Sequence, residues 1–219
     1  MRAIQKQLPM QKEFNEMKTW NLNYLTADEL ISLNSVSGGG ELQGIDLRRG
    51  MLYFTKEKNE EILNCLEKKQ IITSDYQLTQ YGICLVHLIR QYRESTIHCK
   101  LNYERFALLR KGQAIVIQPK DNGYVIAEIP KEIILYRIMK AYISLWKGTE
   151  ACNQAEYLFV QKWKNGREQE HMVYFWNGDG SYKCDINTKK RKTITSKEIR
   201  KELIKVLEME ETECQIQKI

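Results

Sequence analysis

QAIVIQPKDNGYVIAEIP, from Gln113 to Pro130, is the stretch that decides the fold. Gln113 to Gln118 reads as a strand built on Ile115, Val116 and Ile117, and Pro119-Lys120-Asp121-Asn122-Gly123 reads as a turn because proline and glycine punctuate extended chain. Tyr124 to Ile129 then returns as the antiparallel partner, since so short a connection cannot carry a parallel crossover. Pro130 has no backbone donor and so suits the first turn of a helix, predicted from Lys131 to Trp146 with Ile133, Ile134, Leu135, Ile138, Met139 and Tyr142 among its apolar residues.

The same order of elements recurs downstream. Tyr157 to Lys164 and Glu170 to Trp176 are predicted strands joined through Asn165-Gly166, the strongest two-residue hairpin signal. Ser181 to Ile186 and Thr193 to Thr195 extend that sheet, and Thr195-Ser-Lys-Glu198 is a capping box opening a helix on the Ile199, Leu203, Val206, Leu207 stripe. Upstream, Thr26-Ala-Asp-Glu29 is another capping box, and its helix ends in Ser37-Gly38-Gly39-Gly40. Thr55 caps a helix from Lys56 to Lys69. A further helix from Thr79 to Arg93 carries apolar residues around most of its circumference and is expected to be a buried, central helix. Ser95 to Leu101 alternates as a strand, whereas Tyr103 to Arg110 fits strand or helix.

With no strict alternation of strand and helix, the class expected is α+β, a central antiparallel sheet with helices on it. Both halves end in a hairpin followed by an amphipathic helix, the pattern of a pseudo-repeat, and one compact domain is expected. The segments are a lead-in (1–24), a first half (25–146), a second half (147–209) that opens on the polar stretch 147–156, and a fraying tail (210–219).

Composition narrows the function classes. The 219 residues are 42% hydrophobic and 28% charged, which excludes disordered and collagen-like chains. No run approaches the roughly 18 apolar residues of a membrane span. The first twenty residues lack the continuous apolar middle of a signal peptide, so a cytoplasmic protein without membrane insertion is expected. The six cysteines are scattered singly and are expected to be reduced. Cys84, His87, His98 and Cys99 come nearest to metal-ligand spacing, but neighbours such as His98 and Cys99 point to opposite faces of a strand, and ordinary packing is the reading preferred to zinc.

His87, His98 and His171 lie in apolar or strand contexts that suit packing better than base catalysis. Ser37-Gly-Gly-Gly40 and Gly178-Asp-Gly180 lack the residues of a phosphate loop, and no nucleophile elbow or His-Glu-x-x-His helix is present. The expectation is no enzyme, no cofactor and no metal.

Charge points elsewhere. The chain has 34 basic and 28 acidic residues, net +6. Residues 183–205 hold nine basic side chains against Asp185, Glu198 and Glu202, so that segment alone accounts for the excess. Such a patch could contact phosphates, but the run Lys189-Lys190-Arg191-Lys192 contains no aromatic to stack on bases, and a solvated turn or protein contact is preferred. The alternative rests on residues 56–129, whose order of helix, turn, helix and hairpin is that of a winged helix using the basic segment to bind nucleic acid.

Several stretches carry a family resemblance. They are Leu25-Thr26-Ala27-Asp28-Glu29-Leu30, the glycine turn at Gly44-Ile45, the helix end from Leu66 to Ile72, Gln91-Tyr92-Arg93, and the run from Arg105 to Pro130. Together they resemble the ESX secretion-associated, EspG-type chaperones of type VII secretion, in particular their counterparts in low-GC Gram-positive bacteria, over about residues 25 to 207. The N-terminal 24 residues and the basic turn have no counterpart. The resemblance implies a cytosolic chaperone that binds helical secreted proteins before export, with a central antiparallel sheet in two quasi-symmetric halves. It also implies substrate contacts at the first long hairpin's loop, here Lys120, Asp121 and Asn122, and on the C-terminal helix, here Arg200, Lys201 and Lys205.

Strand alternation puts Met172, Tyr174 and Trp176 on one face and His171, Val173 and Phe175 on the other, without indicating which is core. Trp176 is the apolar docking anchor expected.

Overall fold

Nine strands form one continuous antiparallel sheet in the order β1-β5-β4-β3-β2-β6-β7-β8-β9. The computed structural model describes residues 24–47, 55–142, 157–176 and 180–210. Within them run β1 (Tyr24–Thr26), α1 (Ala27–Val36), α2 (Lys56–Lys68), α3 (Gln80–Glu94), β2 (Ile97–Leu101), β3 (Glu104–Leu108), β4 (Gln113–Lys120), β5 (Gly123–Pro130), α4 (Lys131–Ala141), β6 (Tyr157–Lys164), β7 (Arg167–Trp176), β8 (Ser181–Asp185), β9 (Arg191–Thr193) and α5 (Ser196–Val206). The class is α+β, as the patterning indicated. The expected lead-in, the polar stretch 147–156, the end of the helix predicted to reach Trp146 and the last nine residues of the tail lie outside the described residues.

Local signals set the ends of the elements. Both capping boxes form, with Thr26 and Thr195 each accepting from the backbone three residues on and Glu29 and Glu198 reaching back to the cap. Glu29 is buried and also pairs with Lys69 at 2.6 Å, so the cap of α1 is tied to the end of α2. Asn165 and Gly166 both take positive φ between Lys164 and Arg167, as their hairpin demands. The β4–β5 connection is tighter than expected, because pairing continues to Lys120↔Gly123 and leaves only Asp121 and Asn122 as the turn. Gly123 is required by proximity: a Cβ there would run into the Leu25 carbonyl and come within 2.8 Å of the Tyr24 ring.

The two halves join where β2 pairs with β6, Leu101 opposite Val160. Each half sends its last helix to the same face. There α4 contributes Ile134, Leu135 and Ile138, and α5 contributes Ile199, Leu203 and Val206. They cover Cys99, Phe106, Val116, Ala127, Leu158, Val160, Met172 and Tyr174. Tyr174 donates to Glu202 at 2.5 Å and Lys183 pairs with the same carboxylate at 2.7 Å, which ties α5 to the sheet. Burial pushes the Glu202 carboxyl up, but the bonds from Lys183 and Tyr174 prevail and hold it below the ordinary value.

On the opposite face, α1, α2 and α3 pack over Leu25, Ala107, Ile115, Ile117 and Ile126. Here α3 departs from the expected central helix. Gly82, Leu85, Val86, Ile89 and Tyr92 are buried, while Ile83, Cys84, His87 and Arg90 face solvent. Its apolar side chains exceed what one sheet face can cover. The winged-helix order also resolves differently, since the β4–β5 hairpin is an inner part of the large sheet, paired to β3 and β1, rather than a free wing.

Candidate functional site

Registers place directly opposed residues on the same face of a sheet, which traces one row across the second half. Tyr157 lies opposite Phe175, Phe175 opposite Tyr182, Phe159 opposite Val173, and Cys184 opposite Arg191. This row continues the face that α1–α3 cover over the first half. Tyr157 and Phe159 are each 47% exposed, and Phe175 and Tyr182 are half-buried. The structure thus decides what alternation left open: the Met172, Tyr174 and Trp176 side is core, and the Phe175 side is open among the described residues.

The rings stack in sequence. Centroids of Tyr157 and Phe175 are 5.9 Å apart at 28°, those of Phe175 and Tyr182 5.6 Å at 23°, and Tyr157 and Phe159 6.4 Å at 29°. Arg191 lies over Tyr182 at 3.9 Å and Phe175 at 4.9 Å. A guanidinium over an aromatic face is held by the ring quadrupole, so this cation belongs to the row.

Asn102 positions the row and was not signalled in advance as functional. It sits at φ 52° in the two-residue β2–β3 turn, a left-handed conformation that asparagine tolerates better than most residues. Its backbone N–H donates to the Phe159 carbonyl at 3.0 Å, its Oδ1 accepts from Phe159 N–H at 2.7 Å, and its Nδ2 donates to the Tyr157 carbonyl at 3.2 Å. A side chain thereby extends the ladder beyond the end of β2. The one clue in the sequence was an asparagine between two alternating segments.

Further along β6 and β7, toward their hairpin, Glu168 holds His171 at 3.6 Å and accepts from Asn187 at 3.2 Å and Gln161 at 3.1 Å. Lys100, opposite Gln161 on β2, is half-buried at the border with the covered half, where burial and the Arg105 charge pull its ammonium below the ordinary value.

The expected docking residues are dispersed. Lys120, Asp121 and Asn122 are exposed at the β4–β5 turn, at the end of the sheet that also holds the Asn102-Tyr103 turn. Lys201 and Lys205 are exposed and Arg200 half-buried on α5, which lies on the other face. Trp176 is partly buried and packs against the core beneath that face, on the side of the sheet opposite the aromatic row.

The basic segment is divided by strand alternation. Lys183 and Lys192 turn toward Glu202, while Arg191 turns to the aromatic face. The spaced cysteines and histidines do not converge. Cys84 and His87 are exposed on α3, His98 contacts the Tyr92 carbonyl at 2.8 Å, and Cys99 points into the opposite core, its thiol pushed up to about 12 by burial. Among the described residues no group of three or more His, Cys, Asp or Glu is placed to hold a metal, and no helix is long and apolar enough to cross a membrane.

Two curated relatives share 26% identity over 124 residues, 55% of this chain and 52% of their own length: the type VII secretion system protein EsaE of Staphylococcus aureus strains USA300 and NCTC 8325. The chain spans about half the length of the curated relatives it matches. Both are named for a secretion system rather than a reaction, and the likeness to type VII secretion proteins is distant. A family match covers residues 19–161, more than half of the chain, and on that match the chain belongs to the family described as Domain of unknown function (DUF5081).

Proposed function

We propose that this protein is a cytosolic chaperone or adaptor, EspG-like in role, that binds helical substrates of a type VII secretion system before export. The observation that carries the reading is the half of the sheet left open among the described residues, where Tyr157 and Phe159 are each 47% exposed beside Phe175, Tyr182 and Arg191. Contiguous exposed apolar surface of this kind is characteristic of interaction sites, and aromatic and arginine side chains are the residues that most often carry binding energy. The distant likeness to type VII secretion proteins supports a partner from that system.

In this reading Phe159 replaces Trp176 as the principal anchor, and Lys120, Asp121 and Asn122 contribute at the same end of the sheet. Arg200, Lys201 and Lys205 on the other face would touch a second segment of the substrate, as a helical pair provides. Co-expression with the helical secreted products of neighbouring genes, followed by affinity purification, tests it. One such product co-purifies, and loss of capture in Phe159→Ala locates it. Failure of all of them to co-purify overturns the proposal.

A further inference from the structure

The row has a direction and a charge. Lys100 on β2, opposite Gln161 and so two residues along from Phe159, and Arg191 on β9 flank it diagonally, and neither has a carboxylate at ion-pair distance among the described residues. Between them lie Phe159, Tyr157, Phe175 and Tyr182, and the carboxylate that the described strands of this half place on this face, Glu168, is already held by Asn187, Gln161 and His171. Four strand spacings separate β2 from β9. The two cations are therefore roughly 20 Å apart, the length of about 13 residues of α-helix.

Ring orientation narrows the partner further. At 5.6 and 5.9 Å, with planes within 28°, neighbouring rings are too close to lie flat side by side, because their own rims would collide. They stack with an offset, and Arg191 lies over both Tyr182 and Phe175, at 3.9 and 4.9 Å. Base stacking needs free ring faces, and the Arg191 guanidinium already lies over two of these. That guanidinium brings a positive charge to the row and favours anionic neighbours. The row therefore suits a protein surface with carboxylates better than a nucleic acid.

We infer that the open face takes an acidic amphipathic helix of a partner protein, lying across the strands with its apolar stripe on Phe159, Tyr157, Phe175 and Tyr182 and carboxylates near its two ends meeting Lys100 and Arg191. The inference rests on the adaptor reading for the partner being a helical protein, and it adds the partner's charge and the length of its contact.

The probe is a pair of fluorescent synthetic helices of about 18 residues with one leucine stripe, carrying glutamates at both ends in one and lysines in the other, titrated into the full chain. The glutamate peptide binds on the order of tenfold tighter, and Lys100→Glu with Arg191→Glu reverses the preference. Arg191→Gln, read with the salt dependence of the wild type, serves if the double variant fails to fold by circular dichroism. Equal binding of the two peptides overturns the inference. So does tighter binding of oligouridine RNA that is lost in Phe159→Ala, or self-association of the chain that Phe159→Glu abolishes. A co-purified secreted substrate indifferent to Arg191→Glu would overturn the acidic-helix inference while leaving the adaptor reading standing. Correct peptide preference without any co-purified secreted substrate supports the inference and overturns the adaptor reading.

Discussion

One face of the sheet has two halves that obey the same period and are finished differently. Under α1–α3 the inward residues are Ala107, Ile115, Ile117 and Ile126, all aliphatic and at most a few per cent exposed. Beyond β2 the same face carries Tyr157, Phe159, Phe175 and Tyr182, of which two are 47% exposed. Aliphatic side chains interdigitate under a helix at close range, whereas stacked rings with an arginine cap shield one another and leave a rigid, partly wet surface. The difference teaches that strand patterning reports a sheet, while the residue type on each face reports what is meant to lie on it.

The strongest way to break this comparison is a truncation on the covered side. Ile117→Ala is expected to lower stability by about 2–5 kcal/mol in denaturant titration, because the cavity cannot collapse between sheet and helices. Overpacking the same layer has a somewhat smaller effect. A Cβ at Gly82 would collide with the Ile71 carbonyl and lie 3.1 Å from Leu78, so Gly82→Ala is expected to cost about 1–3 kcal/mol through displacement of α3.

The open side is sharpened through its tether. Asn102→Ala removes the side-chain bonds to the Phe159 amide and the Tyr157 carbonyl, with an expected loss of about 1–2 kcal/mol. Hydrogen exchange separates this from a global effect: the Phe159 amide should lose protection more than the amides of β4. Equal loss in both would make Asn102 a general stabiliser.

Acidification should act on the covered half. His98 is buried beneath α3, and burial depresses its ring below the ordinary 6.5 despite the bond to Tyr92. The unfolded chain therefore takes up this proton first as pH falls. The contribution is complete above pH 6.5 and declines as pH drops below it toward the depressed folded value. Tm measured across that window should fall in the wild type, and the fall should be shallower in a folded His98→Asn variant.

Phe159→Ala carries the smallest stability effect expected, about 1 kcal/mol or less, since the ring is half in solvent already. Its consequence should appear in partner capture instead. A large loss of stability would show that the row is core and not a surface.

Much of the frame was legible because its signals are local. Thr26 and Thr195 cap helices through residues three positions away, Asn165-Gly166 turns a hairpin by its own dihedrals, and the alternation of Gln113 to Ile129 marks strands without reference to anything distant. The site was less legible. Alternation separated Phe175 from Trp176 and left both as candidates, and Arg191 looked like one member of a basic run.

By itself, then, the sequence determined where most helices and strands begin, β1 and β3 excepted, that the sheet is antiparallel, and which residues share a face. Only the tertiary structure decided that β2 joins β6 into a single sheet, that α4 and α5 both return to the Trp176 side, and that Asn102 reaches across to place Phe159. The physical reason is that a period of two is symmetric between the faces of a sheet. Nothing within a strand distinguishes inside from outside until helices from elsewhere in the chain pack on one face, and α5, which closes over Tyr174 through Glu202, lies almost thirty residues further on.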